Sequence, residues 1–101
     1  MFVVRRLTSL CFRNSKVAYY SYVLLGKDDR FYIGYTSDLK KRLQEHAQGR
    51  VSSTRFRRPL KLIHYEYFVN SKDARSRERF LKSGAGHEQM SKFLKSTLFK
   101  K

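Results

Sequence analysis

Between Ala18 and Leu98 the chain alternates between short runs dense in aromatic and β-branched residues and longer runs in which apolar residues recur every three or four positions. Ala18–Leu25 contains Tyr19, Tyr20, Tyr22 and Val23, and Arg30–Thr36 contains Phe31, Tyr32, Ile33 and Tyr35. Both read as strands. Gly26-Lys27-Asp28-Asp29 between them has turn chemistry, so the two form a hairpin. After Thr36 the period changes. Leu39, Leu43 and Ala47 are four apart behind the polar pair Ser37-Asp38, which predicts a helix from about Asp38 to Gln48 with Gly49 as its C′ residue. Arg50–Pro59 is a basic loop closed by the lone proline, and Leu60–Phe68 is a third strand. Asn70-Ser71 caps a second helix over roughly Lys72–Ser83, where Asp73 favours the helix dipole. Gly84-Ala85-Gly86 is expected to break that helix. A last helix, His87–Leu98, is expected to bury Met90, Phe93, Leu94 and Leu98. The order ββαβαα makes a small two-layer α/β domain: a three-stranded sheet flanked by helices, at least partly antiparallel because it opens on a hairpin.

Composition adds a partner to this outline. Twenty-three Lys and Arg against eight Asp and Glu give a net charge of +15, a field that favours a polyanion. A membrane surface competes for such a field, but no long basic amphipathic helix dominates, and no apolar run approaches the ~18 residues of a span. Residues 1–17 hold Arg5, Arg6, Arg13 and Lys16 and no acid. They read as a disordered basic extension outside the fold; an organelle transit peptide shares that make-up. Residues 99–101 read as a basic tail. Cys11 stands alone, which excludes a disulfide framework or a cysteine zinc site within one chain and fits the cytoplasm. There is no P-loop for a nucleotide cofactor, no His-Glu-x-x-His and no nucleophile elbow.

Some residues stand where chemistry could use them. On the first helix Arg42 and His46 are four apart, on a stripe roughly 100° from that of Leu43. With Tyr32 on the preceding strand they bring a guanidinium, an imidazole and a phenol together, a set that suits a phosphodiester. Arg42 could clamp phosphate oxygens or be a solvated arginine beside Lys40 and Lys41. His46 could bond the phosphate, orient a tyrosine or simply be half-buried. Tyr22 and Tyr32 are strand aromatics unless nearby positive charge lowers a phenol enough to make it a base; this chain has such charge to offer. Glu78 shares a face of the second helix with Ala74 and Leu81, and is either paired with neighbouring arginines or a ligand for Mg²⁺. Arg55, Arg57 and Arg58 form a phosphate-tracking surface or a solvated loop. His64 and His87 read as structural or surface residues.

These residues resemble the GIY-YIG nuclease superfamily, and more narrowly the small stand-alone bacterial proteins related to the nuclease domain of the repair subunit UvrC. Tyr32-Ile33-Gly34 is the second half-motif. Tyr20-Ser21-Tyr22 stands where the first is Gly-Ile-Tyr, and keeps only the tyrosine. Arg42 lies eight residues after Gly34, where the family has an arginine, and His46 follows one turn later. Asp73-Ala74-Arg75-Ser76-Arg77-Glu78 is similar to the family's Glu-Ala-x-x-x-Glu segment. The resemblance runs from about Ala18 to Leu98. It implies an endonuclease that hydrolyses DNA with one divalent ion, Mg²⁺ or Mn²⁺. Tyr22 would act on the attacking water, Tyr32 would fix water or phosphate, and Arg42 would stabilise the transition state. Glu78 would hold the metal and Gly34 would let the backbone turn closely at the site. Lys40, Lys41, Arg55, Arg57 and Arg58 would bind the DNA, branched or single-stranded, in repair or recombination. The alternatives are a non-catalytic nucleic-acid-binding module on the same frame and a basic RNA-associated protein. Oligomeric state is left open.

Overall fold

The computed structural model describes residues 18–98; the readings of residues 1–17 and 99–101 lie outside the described residues. Strands β1 (Tyr19–Leu25) and β2 (Phe31–Thr36) form the hairpin, and β3 (Lys61–Phe68) pairs with the other edge of β1. The order is β2-β1-β3 and both pairings are antiparallel, so the sheet is antiparallel throughout. Tyr22 lies opposite Gly34 on one side and Tyr65 on the other, with a register shift at Val23/Leu24. The hairpin turn closes with Asp29 at φ 62.

Because strand side chains alternate between faces, β1 divides the molecule. Val23 packs with Ile33, Leu81 and Met90 into the core on one face. Burying each of these side chains contributes about 1.5–3 kcal/mol. That face is covered by α2 (Ser71–Lys82) and α3 (Gly84–Phe93). Tyr22 and Leu24 point to the other face, where α1 (Leu39–Ala47) and the loop after it lie. The caps follow the sequence. Asp38 accepts from Lys41 N–H, Asn70 accepts from Lys72 N–H, and Gly49 takes φ 77 just past α1.

Two expectations are corrected at the C-terminal end. Gly84-Ala85-Gly86 does not break the helix pair; it is the first turn of α3. The break is Ser83 alone, whose N–H donates to the Phe80 carbonyl and whose Oγ accepts from Gly86 N–H at 3.1 Å. Phe93 is 70% exposed, not buried. The inward stripe of α3 is Gly86, Met90 and then Leu94 at four-residue spacing, and Phe93 falls beside it against His64 of the outer strand β3. The helix ends there; Leu94 turns the chain into a short α4 (Lys95–Leu98), on which Leu98 is half-buried.

Candidate active site

The site begins with a tyrosine that cannot stand upright. Tyr22 is fully buried in the central strand, and its ring lies sideways across Gly34 of β2. A Cβ at Gly34 would fall inside the Tyr22 Cζ and hydroxyl and 2.8 Å from Cε2. Gly34 is therefore needed for room within a strand, not for a backbone turn as the sequence implied; it sits mid-strand without a positive φ. The ring's direction carries the hydroxyl toward the β2 edge. Tyr32 flanks it with ring centroids 6.4 Å apart, and His46 meets both rings edge-on, at 5.7 Å from Tyr22 and 5.1 Å from Tyr32.

The polar atoms form one chain. The Tyr22 hydroxyl lies 2.8 Å from His46 Nε2, and His46 Nδ1 lies 2.8 Å from Thr54 Oγ1. Thr54, fully buried, donates its proton to the Val51 carbonyl at 3.4 Å. Its oxygen must then accept, which puts the imidazole proton on Nδ1. Nε2 is left bare, and Tyr22 donates to it. Burial, then the charge of Arg42, pushes the His46 pKa down to about 4, so the ring stays neutral and able to accept. Burial pushes the Tyr22 pKa up to about 12; hydrogen bonding from Arg42 opposes the rise, and the charges of Tyr32 and Glu78 add to it. The expectation that positive charge would lower this phenol is not met, because desolvation outweighs Arg42.

Arg42 projects from α1 with its guanidinium held between the Tyr22 hydroxyl and Glu45, whose Oε1 accepts from Nη1 at 3.0 Å. Its own pKa is raised, chiefly by the Tyr22 hydrogen bond. It opens onto an external groove of about 360 Å³ that Tyr35, Thr36, Ser37 and Lys41 also line. The structure thus brings Tyr22, Tyr32, Arg42 and His46 together around Gly34.

Glu78 approaches from the other layer. It sits on α2, one turn after Arg75, whose guanidinium lies 4.2 Å from the ring centre of Tyr35 on β2. Its side chain is 18% exposed and pairs with Lys82 at 3.0 Å. Its charge is felt at the Tyr22 hydroxyl. Among the described residues no cluster of three or more His, Cys, Asp or Glu side chains forms a metal cage. A mostly buried carboxylate whose only ion-pair partner among the described residues is an exposed lysine fits a hard divalent ion that keeps most of its waters. Lys82, more than half exposed, is a partner such an ion could displace.

The proposed DNA-binding residues divide. Lys40 and Lys41 are exposed on α1, and Arg55 is exposed beside Phe56. Arg57 instead ties the loop to the hairpin: it donates to both carboxylate oxygens of Asp28, at 2.9 and 3.3 Å, and to the Arg30 carbonyl at 2.7 Å. That pairing holds the Asp28 carboxyl below its usual range. Arg58 closes onto the carbonyls of Arg55 and Ala47. Two residues of the site were missed in the sequence. Glu45 had a signal, its i,i+3 spacing from Arg42. Thr54 had none, since only the fold of the loop brings it back to His46.

Comparison with known proteins gives four findings. A family model described as the GIY-YIG catalytic domain matches residues 18–90. A UPF0213 protein of Pediococcus acidilactici is 41% identical over 85 residues, which is 81% of this chain and 86% of the relative. One from Clostridium perfringens is 42% identical over 64 residues, 62% of this chain and 69% of the relative. The solution structure of a UPF0213 protein from Bacillus halodurans superposes with a TM-score of 0.50 at 33% identity, covering 75% of this chain and 84% of that one.

Proposed function

The chain belongs to the GIY-YIG family, a nuclease family, and from this premise we propose that it is a metal-dependent endonuclease hydrolysing DNA phosphodiester bonds. Branched or single-stranded DNA is the proposed substrate, repair or recombination in the cytoplasm the setting. The observation that carries the reading is the Tyr22–His46–Thr54 chain with Arg42 on the phenol oxygen.

That chain gives a route for a proton. Tyr22 is too weak an acid to rest as a phenolate, but its proton already points at a neutral imidazole. The Tyr22 oxygen is buried behind Arg42, so a water reaches it once Arg42 turns outward to a phosphate; that water can pass its proton to the Tyr22 oxygen while Tyr22 passes its own to His46 Nε2, leaving hydroxide to form the new P–O bond. Thr54 receives the Nδ1–H and holds the ring in the tautomer this needs. Arg42 supports the oxygens of the phosphate as charge builds on them, and Tyr32 orients it. The departing deoxyribose oxygen takes a proton from solvent. Glu78 would hold Mg²⁺ or Mn²⁺, which when bound supplies a Lewis acid for the phosphate and the leaving oxygen.

Incubating the protein with nicked, branched and single-stranded DNA and either ion tests this. Cleavage by wild type and not by Glu78→Ala is expected; equal background in both sinks the catalytic reading. A second reading, a binding module without catalysis, draws on Ser21, which stands in the first half-motif with a buried hydroxyl that has no hydrogen-bond partner. Under it, Arg42→Ala weakens binding no more than Lys40→Ala, and no divalent ion is required for anything.

A further inference from the structure

Three further tyrosines share the sheet face of Tyr22. Tyr20 precedes it by two residues on β1, Tyr65 lies directly opposite it on β3, and Tyr67 lies opposite Tyr20. The rings touch edge-on: Tyr20 meets Tyr65 at 6.1 Å and 63° and Tyr67 at 5.7 Å and 60°. Edge-to-face packing holds the rings, and Tyr65 and Tyr67 remain 52% and 46% exposed on the sheet's outer strand. We propose that Tyr20, Tyr65 and Tyr67 are a stacking platform for unpaired bases of a DNA strand whose phosphate lies at Tyr22 and Arg42. The inference rests on the nuclease reading and names its substrate class.

The occupant follows from charge and geometry. Single-stranded nucleic acid is held by cations that follow the backbone and aromatic faces that take the bases, with no need for sequence. Here α1, on the same face of the sheet, presents Lys40, Lys41 and Arg42, and the chain as a whole is at +15. An acidic backbone with apolar bases matches both features at once; paired bases would hide the surfaces the tyrosines need. Two strand spacings separate β3 from β2, about 10 Å. At ~3.4 Å per stacked nucleotide, bases on the platform belong two or three nucleotides from the phosphate at the site. The bland alternative is an aromatic ladder that only stabilises the outer strand.

The test is made on the full chain in EDTA, so that hydrolysis does not enter. The probe is an oligodeoxythymidylate with one 2-aminopurine, alone and as a duplex with its complement. Wild type and Glu78→Ala should both quench the single-stranded probe. Tyr65→Ala/Tyr67→Ala should abolish the quench and weaken single-strand binding at least about tenfold, with duplex binding changed far less. Tyr65→Phe/Tyr67→Phe should restore both, and circular dichroism should show all variants folded. Equal losses for single strand and duplex, or no loss, overturn the platform. So does a change of oligomeric state in sedimentation, which would give the face to a second copy of the chain. A protein that quenches but never cleaves leaves the platform standing and removes the nuclease reading; one that cleaves without needing the tyrosines does the reverse.

Discussion

At the scale of single residues the site is an arrangement around two buried groups, and each makes a prediction. His46 is held neutral with its pKa near 4 against an ordinary 6.5. The unfolded chain binds a proton there between those values and the folded chain does not, so stability is full above pH 6.5, falls as pH drops toward 4, and levels off below. Allowing for solvent screening the loss is about 2 kcal/mol. Urea midpoints measured from pH 7 to pH 4 should show it, and His46→Asn should flatten it. Gly34→Ala should force the Tyr22 ring off its place, costing about 1–3 kcal/mol and cutting cleavage by about a hundredfold, read by urea unfolding and by rates on the same DNA. The meeting of Tyr32, Arg42 and His46 was legible because regular spacing on a strand and a helix puts side chains in known directions, while Tyr22 entered through its place in the first half-motif. Which way the Tyr22 pKa moves was not: net charge is visible in a sequence, whereas the depth of a phenol beneath α1 is a property of the packed layer.

At the scale of elements, legibility follows how local the cause is. The caps of α1 and α2 are decided by Asp38 and Asn70 bonding amides two or three residues away, and those ends fell where the sequence put them. The junction of α2 and α3 is decided by contact between elements, and there composition misled. Gly84 and Gly86 look alike in the sequence but differ in the fold. Nothing lies within 4 Å of a Cβ at Gly84, while one at Gly86 would run into the Phe80 carbonyl and come 2.7 Å from Leu81 Cα. Backbone cannot yield as a flexible side chain can. Gly86→Ala should therefore destabilise by about 1–3 kcal/mol or more, by separating the helices that carry Leu81 and Met90. Gly84→Ala should be neutral or stabilising by up to about 1 kcal/mol, since it removes backbone freedom from a helical position. Thermal melts of the two variants side by side distinguish a helix breaker, for which both would stabilise, from a point of close approach.

At the scale of the whole molecule the +15 charge favours a polyanion, but the basic side chains that produce it are not equivalent. Arg57 is bound to Asp28 and two strand-end carbonyls, and its own carbonyl accepts from Lys27 N–H at 3.0 Å; it joins the loop that supplies Thr54 to the hairpin that supplies Tyr32. Lys41, exposed and lining the groove beside Arg42, has the opposite character. If binding is governed by ions released from the DNA backbone, the logarithm of the affinity should fall linearly with that of the salt concentration, with a slope set by the number of phosphates neutralised. Lys41→Gln should lower that slope by about 1 and leave thermal unfolding unchanged. Arg57→Gln should do the reverse, lowering the melting temperature with the salt slope intact. Titrations of one oligonucleotide at several salt concentrations, with melts of the same preparations, separate the two. A loss of slope in Arg57→Gln equal to that in Lys41→Gln would mean that the Asp28 pair opens to let Arg57 meet a phosphate, and that the loop, as well as α1, follows the DNA.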